Sequence, residues 1–310
     1  MTNRVIFHRI TAFVLLLIFS ACKTSPPVAQ QTVVATPQPS ATAMKATPSQ
    51  SEDEGKSAED FFTKEDTLSY DGYDVMKLHK KIKDETWGPN PIDTNYVVLK
   101  RKQKVLATFD GPHHSIGNAV DFGLFSFLGK KGKQLIVSIT IPRGGRQWIA
   151  DLSPAYREIF ATEKWGVGRE GADLGFVDID KDGALEITAG DFWYYVFNEI
   201  SMSETPVVNV IFSYETKAGK YVPANHVFPE YSLRAVDERI KSLPANEGQG
   251  YLGGRVDVLL AYVYAGKEKE GWEFFDQAYE AKDKAQVKAK IKNVLKHSLV
   301  YQYIRKHSKS

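Results

Sequence analysis

Cysteine is almost missing from this sequence: Cys22 is the single one in 310 residues. A lone thiol excludes an intrachain disulfide and any multi-cysteine metal site. A long apolar run is missing too. The most hydrophobic stretch, Thr11 to Phe19, is too short to serve comfortably as a permanent membrane helix. Charge of one sign is also missing, since 40 Lys and Arg face 38 Asp and Glu. Charge alone therefore makes no nucleic-acid partner. No Gly-x-Ser-x-Gly elbow marks a serine nucleophile, and no internal repeat is visible at the level of residues.

What is there begins at the amino terminus. Arg4, His8 and Arg9 precede the apolar run, and the small residues Ser20 and Ala21 lead into Cys22. This order resembles a bacterial lipoprotein signal. The resemblance implies that residues 1–22 are a signal peptide, that Cys22 is lipidated, and that the chain is anchored to a membrane. It also implies an extracytoplasmic place in the cell envelope, at the outer membrane where a cell has one. Each buried CH₂ of an acyl chain contributes about 0.8 kcal/mol, so several chains hold far more firmly than one. The plainer alternative is cleavage after Ala21 with Cys22 a bystander. Residues 23–57 are rich in Pro, Thr, Ser, Ala and Gln, as in Thr36-Pro37-Gln38-Pro39-Ser40. Such a segment buries too little apolar area to offset its ordering entropy and reads as a disordered tether spanning on the order of 30 Å.

Residues 58–230 read as a β-rich domain. Tyr96–Lys100 and Val105–Phe109 flank Arg101 to Lys104 as a hairpin, and Gly123–Leu128 and Gln134–Ile141 flank Gly129 to Gly132. Further strands are expected at Gln147–Leu152, Tyr156–Phe160, Phe192–Phe197, Val207–Tyr214 and Lys220–Val222. Residues 231–310 read as a helical module. A first helix covers Ser232–Lys241 with Ser232 near its N-cap, and a second covers Arg255–Tyr264, stopped by Gly266. A third carries Trp272, Phe275 and Tyr279 on one face, and a fourth, capped by Asp283, carries Val287, Ile291, Val294 and Leu295. The fold class is α+β: a mostly antiparallel β body, built either of propeller-like blades or as a sandwich, followed by a C-terminal helical module.

The stretch with a chemical pattern is Asp178-Ile179-Asp180-Lys181-Asp182-Gly183-Ala184-Leu185-Glu186. Alternate residues of a curled loop turn to one side, so Asp178, Asp180 and Asp182 can converge on one hard cation. Gly183 permits the turn that brings in the Ala184 carbonyl, and Glu186 binds directly or through water. The loop is not an EF-hand, because the twelfth position is Ala189 and the approach Gly166–Gly171 is too glycine-rich for a helix. Over Leu135 to Phe197, and tightly over the loop, the chain resembles FG-GAP and VCBS-type repeats. That resemblance implies a Ca²⁺ loop set between strands of a propeller-like blade, which the ion stiffens.

Other clusters have bland and chemical readings. Asp110-Gly111-Pro112-His113-His114-Ser115 is either a polar loop or, with Asp121, a metal or hydrolytic site. Arg143 to Arg146 is either a hairpin turn or an anion grip. Phe192 to Tyr195 is core or a sugar-stacking platform. Lys282, Lys284, Lys288, Lys290, Lys292 and Lys296 make a solvated helix face or an attractor of anionic polymers. The functional expectation is a membrane-anchored, non-catalytic, calcium-stabilised module displaying a face to a protein or glycan. An extracytoplasmic hydrolase near Asp110, and an envelope assembly factor acting through the helical tail, are the alternatives.

Overall fold

The computed structural model describes residues 55–83, 90–110, 118–129, 132–141, 144–168, 174–193, 204–245, 251–308. All lie in one unit, Ser49–Ser310. Cys22, residues 23–54 of the tether, His113, His114, Arg143 and the aromatic run beyond Trp193 fall outside them.

Three up-and-down antiparallel meanders follow one another along the chain. The first sheet is β2 (Thr67–Tyr70), β3 (Tyr73–Ile82), β4 (Ile92–Arg101) and β5 (Lys104–Asp110), in that order. The second is β6 (Ala119–Phe125), β7 (Gln134–Ile141), β8 (Gly144–Asp151) and β9 (Arg157–Ala161). The third is β10 (Gly175–Val177), β11 (Glu186–Phe192), β12 (Val207–Glu215) and β13 (Lys220–Pro223). A short β1 (Lys56–Ser57) adds to the third sheet beside β10, ahead of the expected domain start at residue 58.

The second sheet is buried on both faces, and its alternation decides which neighbour each side chain meets. Leu135, Val137, Ile139, Trp148 and Ala150 pack with Val75, Val97, Leu99 and Phe109 of the first sheet. Ile136, Ile149 and Phe160 point the other way, into a cluster shared with the third sheet and the helices. A strand covered on both sides needs no polar face, which is why β7 reads as a near-continuous apolar run. Asn95 and Asn118 clamp the first two sheets: the Asn95 amide donates to Asn118 Oδ1 (2.8 Å), Asn95 Nδ2 to Asn118 O (3.1 Å), and Asn118 Nδ2 to Asn95 O (2.8 Å).

After β1, Ser57 and Asp60 form a capping box around a single turn of 3₁₀ helix, Ala58–Phe61. Phe61 then plugs the seam between the second and third sheets, with ring centroids 4.4, 5.1 and 5.2 Å from Phe125, Phe127 and Phe176. Gly123 allows this approach, because a Cβ there would overlap the carbonyl oxygen of Phe61.

The helical module follows the β body. Its elements, after α1 (Thr162–Trp165) in the β body, are α2 (Pro229–Leu233), α3 (Val236–Ser242), α4 (Tyr251–Tyr264), α5 (Glu268–Ala278), α6 (Lys284–His297) and α7 (Leu299–His307). Three local expectations are corrected. Ser232 lies inside α2 instead of capping a longer helix; its hydroxyl donates to Asn225 O at 3.3 Å. Asp283 occupies the N-cap position of α6 but accepts the Tyr279 hydroxyl at 2.8 Å. The expected fourth helix stops at His297 and a further helix follows it, because Ser298 ends α6 and caps α7 through the Tyr301 amide (3.2 Å).

Candidate metal centre

The loop between β10 and β11 is a hairpin loop closed at its base by the pair Val177↔Glu186. Its own carboxylates curl it. Asp178 Oδ2 accepts the Gly183 amide (3.1 Å), Asp180 Oδ1 the Asp182 amide (3.3 Å), and Asp182 Oδ1 the Ala184 amide (2.7 Å). Lys181 and Gly183 take left-handed backbone, φ 61° and 88°, and the second is the turn that glycine makes cheap. Glu186, the first residue of β11 and only 2 % exposed, reaches back so that Oε2 accepts the Ile179 amide at 2.8 Å.

One carboxylate oxygen each from Asp178, Asp180 and Glu186 thus lies within 4.8 Å of the others. Asp178 Oδ1 is buried with no hydrogen-bond partner among the described residues. No ion pair among the described residues reaches these three carboxylates. Burial pushes the Glu186 carboxyl up to about 7; the Ile179 amide bond opposes this, and the charges of Asp180, Asp182 and Asp178 add to it. Carboxylate oxygens are the donors that hard divalent cations take, so the cluster could hold one. Asp178, Asp180 and Glu186 would hold it. Asp182 stands outside this group, and its Oδ1 accepts the Ala184 amide.

The loop is tied to its surroundings. The Leu185 amide donates to Phe127 O in the second sheet's first turn (2.7 Å), and the Tyr221 hydroxyl on β13 donates to Leu185 O (2.9 Å). The Gly183 carbonyl lies where a Cβ on Gly129 would be. Tyr221 is fully buried, and burial followed by the Glu186 charge holds its hydroxyl protonated and donating.

The other candidates fare differently. Asp110 ends β5 and is ion-paired to Lys80, while Asp121 lies on β6 in the second sheet opposite Ser138. The two acids thus belong to different sheets, and their histidine partners lie outside the described residues. Arg146 pairs with Glu163 at 3.1 Å within β8's surroundings. Much of the lysine face of α6 packs on α5: Lys288 bonds both oxygens of Asp276 (2.6 and 2.8 Å), Lys284 donates to Asp276 O, and Lys288 and Lys292 lie 5.5 and 5.2 Å from the Trp272 ring centre.

Sequence reasoning missed a cleft of about 440 Å³ between α1, the end of β11 and the α6–α7 junction. Asp191, Trp165 and Trp193 line it. The available signal was an acid, Asp191, placed within an aromatic β run. No family model matches this chain, and no curated protein or solved structure shows significant similarity to it.

Proposed function

We propose that this chain is a non-catalytic binding or display module, held at the outer side of a cell membrane by lipid on Cys22, with a divalent cation, calcium, bound in the β10–β11 loop. The observation that carries the reading is the convergence of Asp178, Asp180 and Glu186 oxygens, with an oxygen of Asp178 buried and without a donor among the described residues. Carboxylates crowded in this way repel one another, and a cation turns that repulsion into attraction. Because Leu185 is bonded to Phe127, stiffening the loop stiffens the seam between the second and third sheets. The ion's work is then structural, and the surface it steadies is what the anchor presents. The likeness of the loop to FG-GAP and VCBS-type repeats, and of residues 1–22 to a lipoprotein signal, supports the same reading.

Calorimetric titration of the protein with CaCl₂, run in parallel on Asp180→Ala, tests the proposal. Saturable binding that disappears in the variant is the expected result. Absence of binding in the native protein at millimolar-order calcium, the weak end of known calcium modules, would overturn it.

A further inference from the structure

We propose that the outward face of α6 is a docking surface for a bilayer rich in anionic phospholipid headgroups. Charge in this chain is segregated. Over the whole sequence 40 Lys and Arg face 38 Asp and Glu, yet residues 281–310 hold nine Lys and Arg and one acid, Asp283. The helices of that stretch are α6 and α7. On α6 the apolar stripe of Val287, Ile291 and Leu295 is buried in the core. Lys284 and Lys288 lie toward α5 and bond Asp276. The remaining side is open. Ala285, Ala289, Lys292 and Lys296 follow one another at steps of four, three and four residues, which is one line along a helix, and all four are exposed. Lys282 stands exposed in the turn just ahead. No ion pair among the described residues holds Lys282, Lys292 or Lys296, although the Lys292 ammonium lies 5.2 Å from the Trp272 ring centre.

Three features favour a bilayer over a folded partner. Lysine is a hydrated point charge that suits diffuse attraction, whereas arginine is the residue of bidentate recognition. The residues between the lysines on this line are alanines, small enough for the helix to lie close to a flat surface. Leu299, three residues past Lys296 at the start of α7, is 51 % exposed, one of three large apolar side chains left so among the described residues. An apolar side chain beside lysines enters the acyl boundary while the ammonium groups meet the headgroups. The surface depends neither on lipid at Cys22 nor on a cation in the β10–β11 loop, so it stands or falls apart from them.

The test is sedimentation of the full chain, in chelator, with vesicles of phosphatidylglycerol and phosphatidylcholine in equal parts and with vesicles of phosphatidylcholine alone. The readout is the difference between the two compositions, because the apolar run of residues 11–19 binds either. Tighter binding to the anionic vesicles, weakening as salt rises, is expected. The triple variant Lys282→Gln, Lys292→Gln, Lys296→Gln should weaken that binding by about a hundredfold, roughly fivefold per lysine. Leu299→Ser should weaken it severalfold and leave the salt dependence as it was. All four positions are exposed, so the variants keep the fold, which circular dichroism checks. Equal binding to both compositions, or anionic binding unchanged in the triple variant, would overturn the proposal. So would a triple variant that loses binding to soluble dextran sulfate but keeps binding to vesicles, which would assign this face to an anionic polymer.

Discussion

The β10–β11 loop and the helical module bury charge in different ways. Among the described residues of the helices, Arg255 and Asp257 each meet a protein partner, although Asp257 keeps one oxygen buried without a hydrogen bond. Arg255, 6 % exposed, donates to the carbonyls of Ala278 (2.6 Å), Tyr251 (2.8 Å) and Pro244 (2.8 Å), and its plane lies 3.7 Å from the Tyr251 ring centre. Asp257 takes Arg239 at 2.6 Å. In the β10–β11 loop three carboxylates come together with amide donors alone. A charge satisfied from within holds architecture together, whereas charges of one sign gathered without a counter-ion leave room for one from outside. This difference separates a structural network from a site.

The largest expected effect lies on the helical side. Arg255→Met leaves three carbonyls without their donor and should cost about 3–5 kcal/mol, measured by denaturant unfolding. The loss should be the same with calcium or chelator.

The next effect is pH dependence. Folded Glu186 keeps its proton up to about pH 7, against an ordinary value of 4.5. Between those values the folded state binds more protons than the unfolded one. In chelator, stability should therefore fall as pH rises from about 4.5 to about 7, by up to about 3 kcal/mol. Calcium should flatten this fall by taking the proton's place. Asp257, raised to about 6 by burial against the opposing pull of Arg239, gives a slope of the same sign from its ordinary 3.8 upward. Calcium should leave that part unchanged, which thermal melts across pH on Glu186→Gln would separate.

Calcium itself should add about 2.7 kcal/mol at about a hundredfold excess over Kd, lost in Asp180→Ala and kept in Arg255→Met, as read from melting curves. The smallest effect sharpens the contrast with an ordinary turn. Lys102 and Gln103, between β4 and β5, sit at φ 49° and 66°, backbone that favours Asn and Gly. Lys102→Asn with Gln103→Gly should stabilise the first sheet by about 1 kcal/mol, independent of calcium, by chemical denaturation.

The α+β order and most strands were legible from alternation and turn residues. The pair β2–β3 was not, because Lys77, His79, Lys80 and Lys81 crowd its outer half with polar side chains. The threefold meander was also hidden. The second sheet is covered on both faces, whereas the outer half of β3 in the first alternates between half-buried and exposed side chains, so strands with the same topological place carry different patterns. The gathering of Asp178, Asp180 and Glu186 was readable because their spacing is local. Asp182 was expected among the ligands by that spacing, yet it stands outside the group that the fold draws together. The cleft was unreadable because α1, β11 and the α6–α7 junction meet only in the fold.

Amide hydrogen exchange with and without calcium tests the central claim most directly. Calcium should slow exchange at the loop amides, at Leu185 where it bonds Phe127, and along β10 and β11, while α4 around Arg255 stays as it was. Exchange that is unchanged at Leu185, or slowed equally through α4, would contradict a cation that fastens the seam between two sheets.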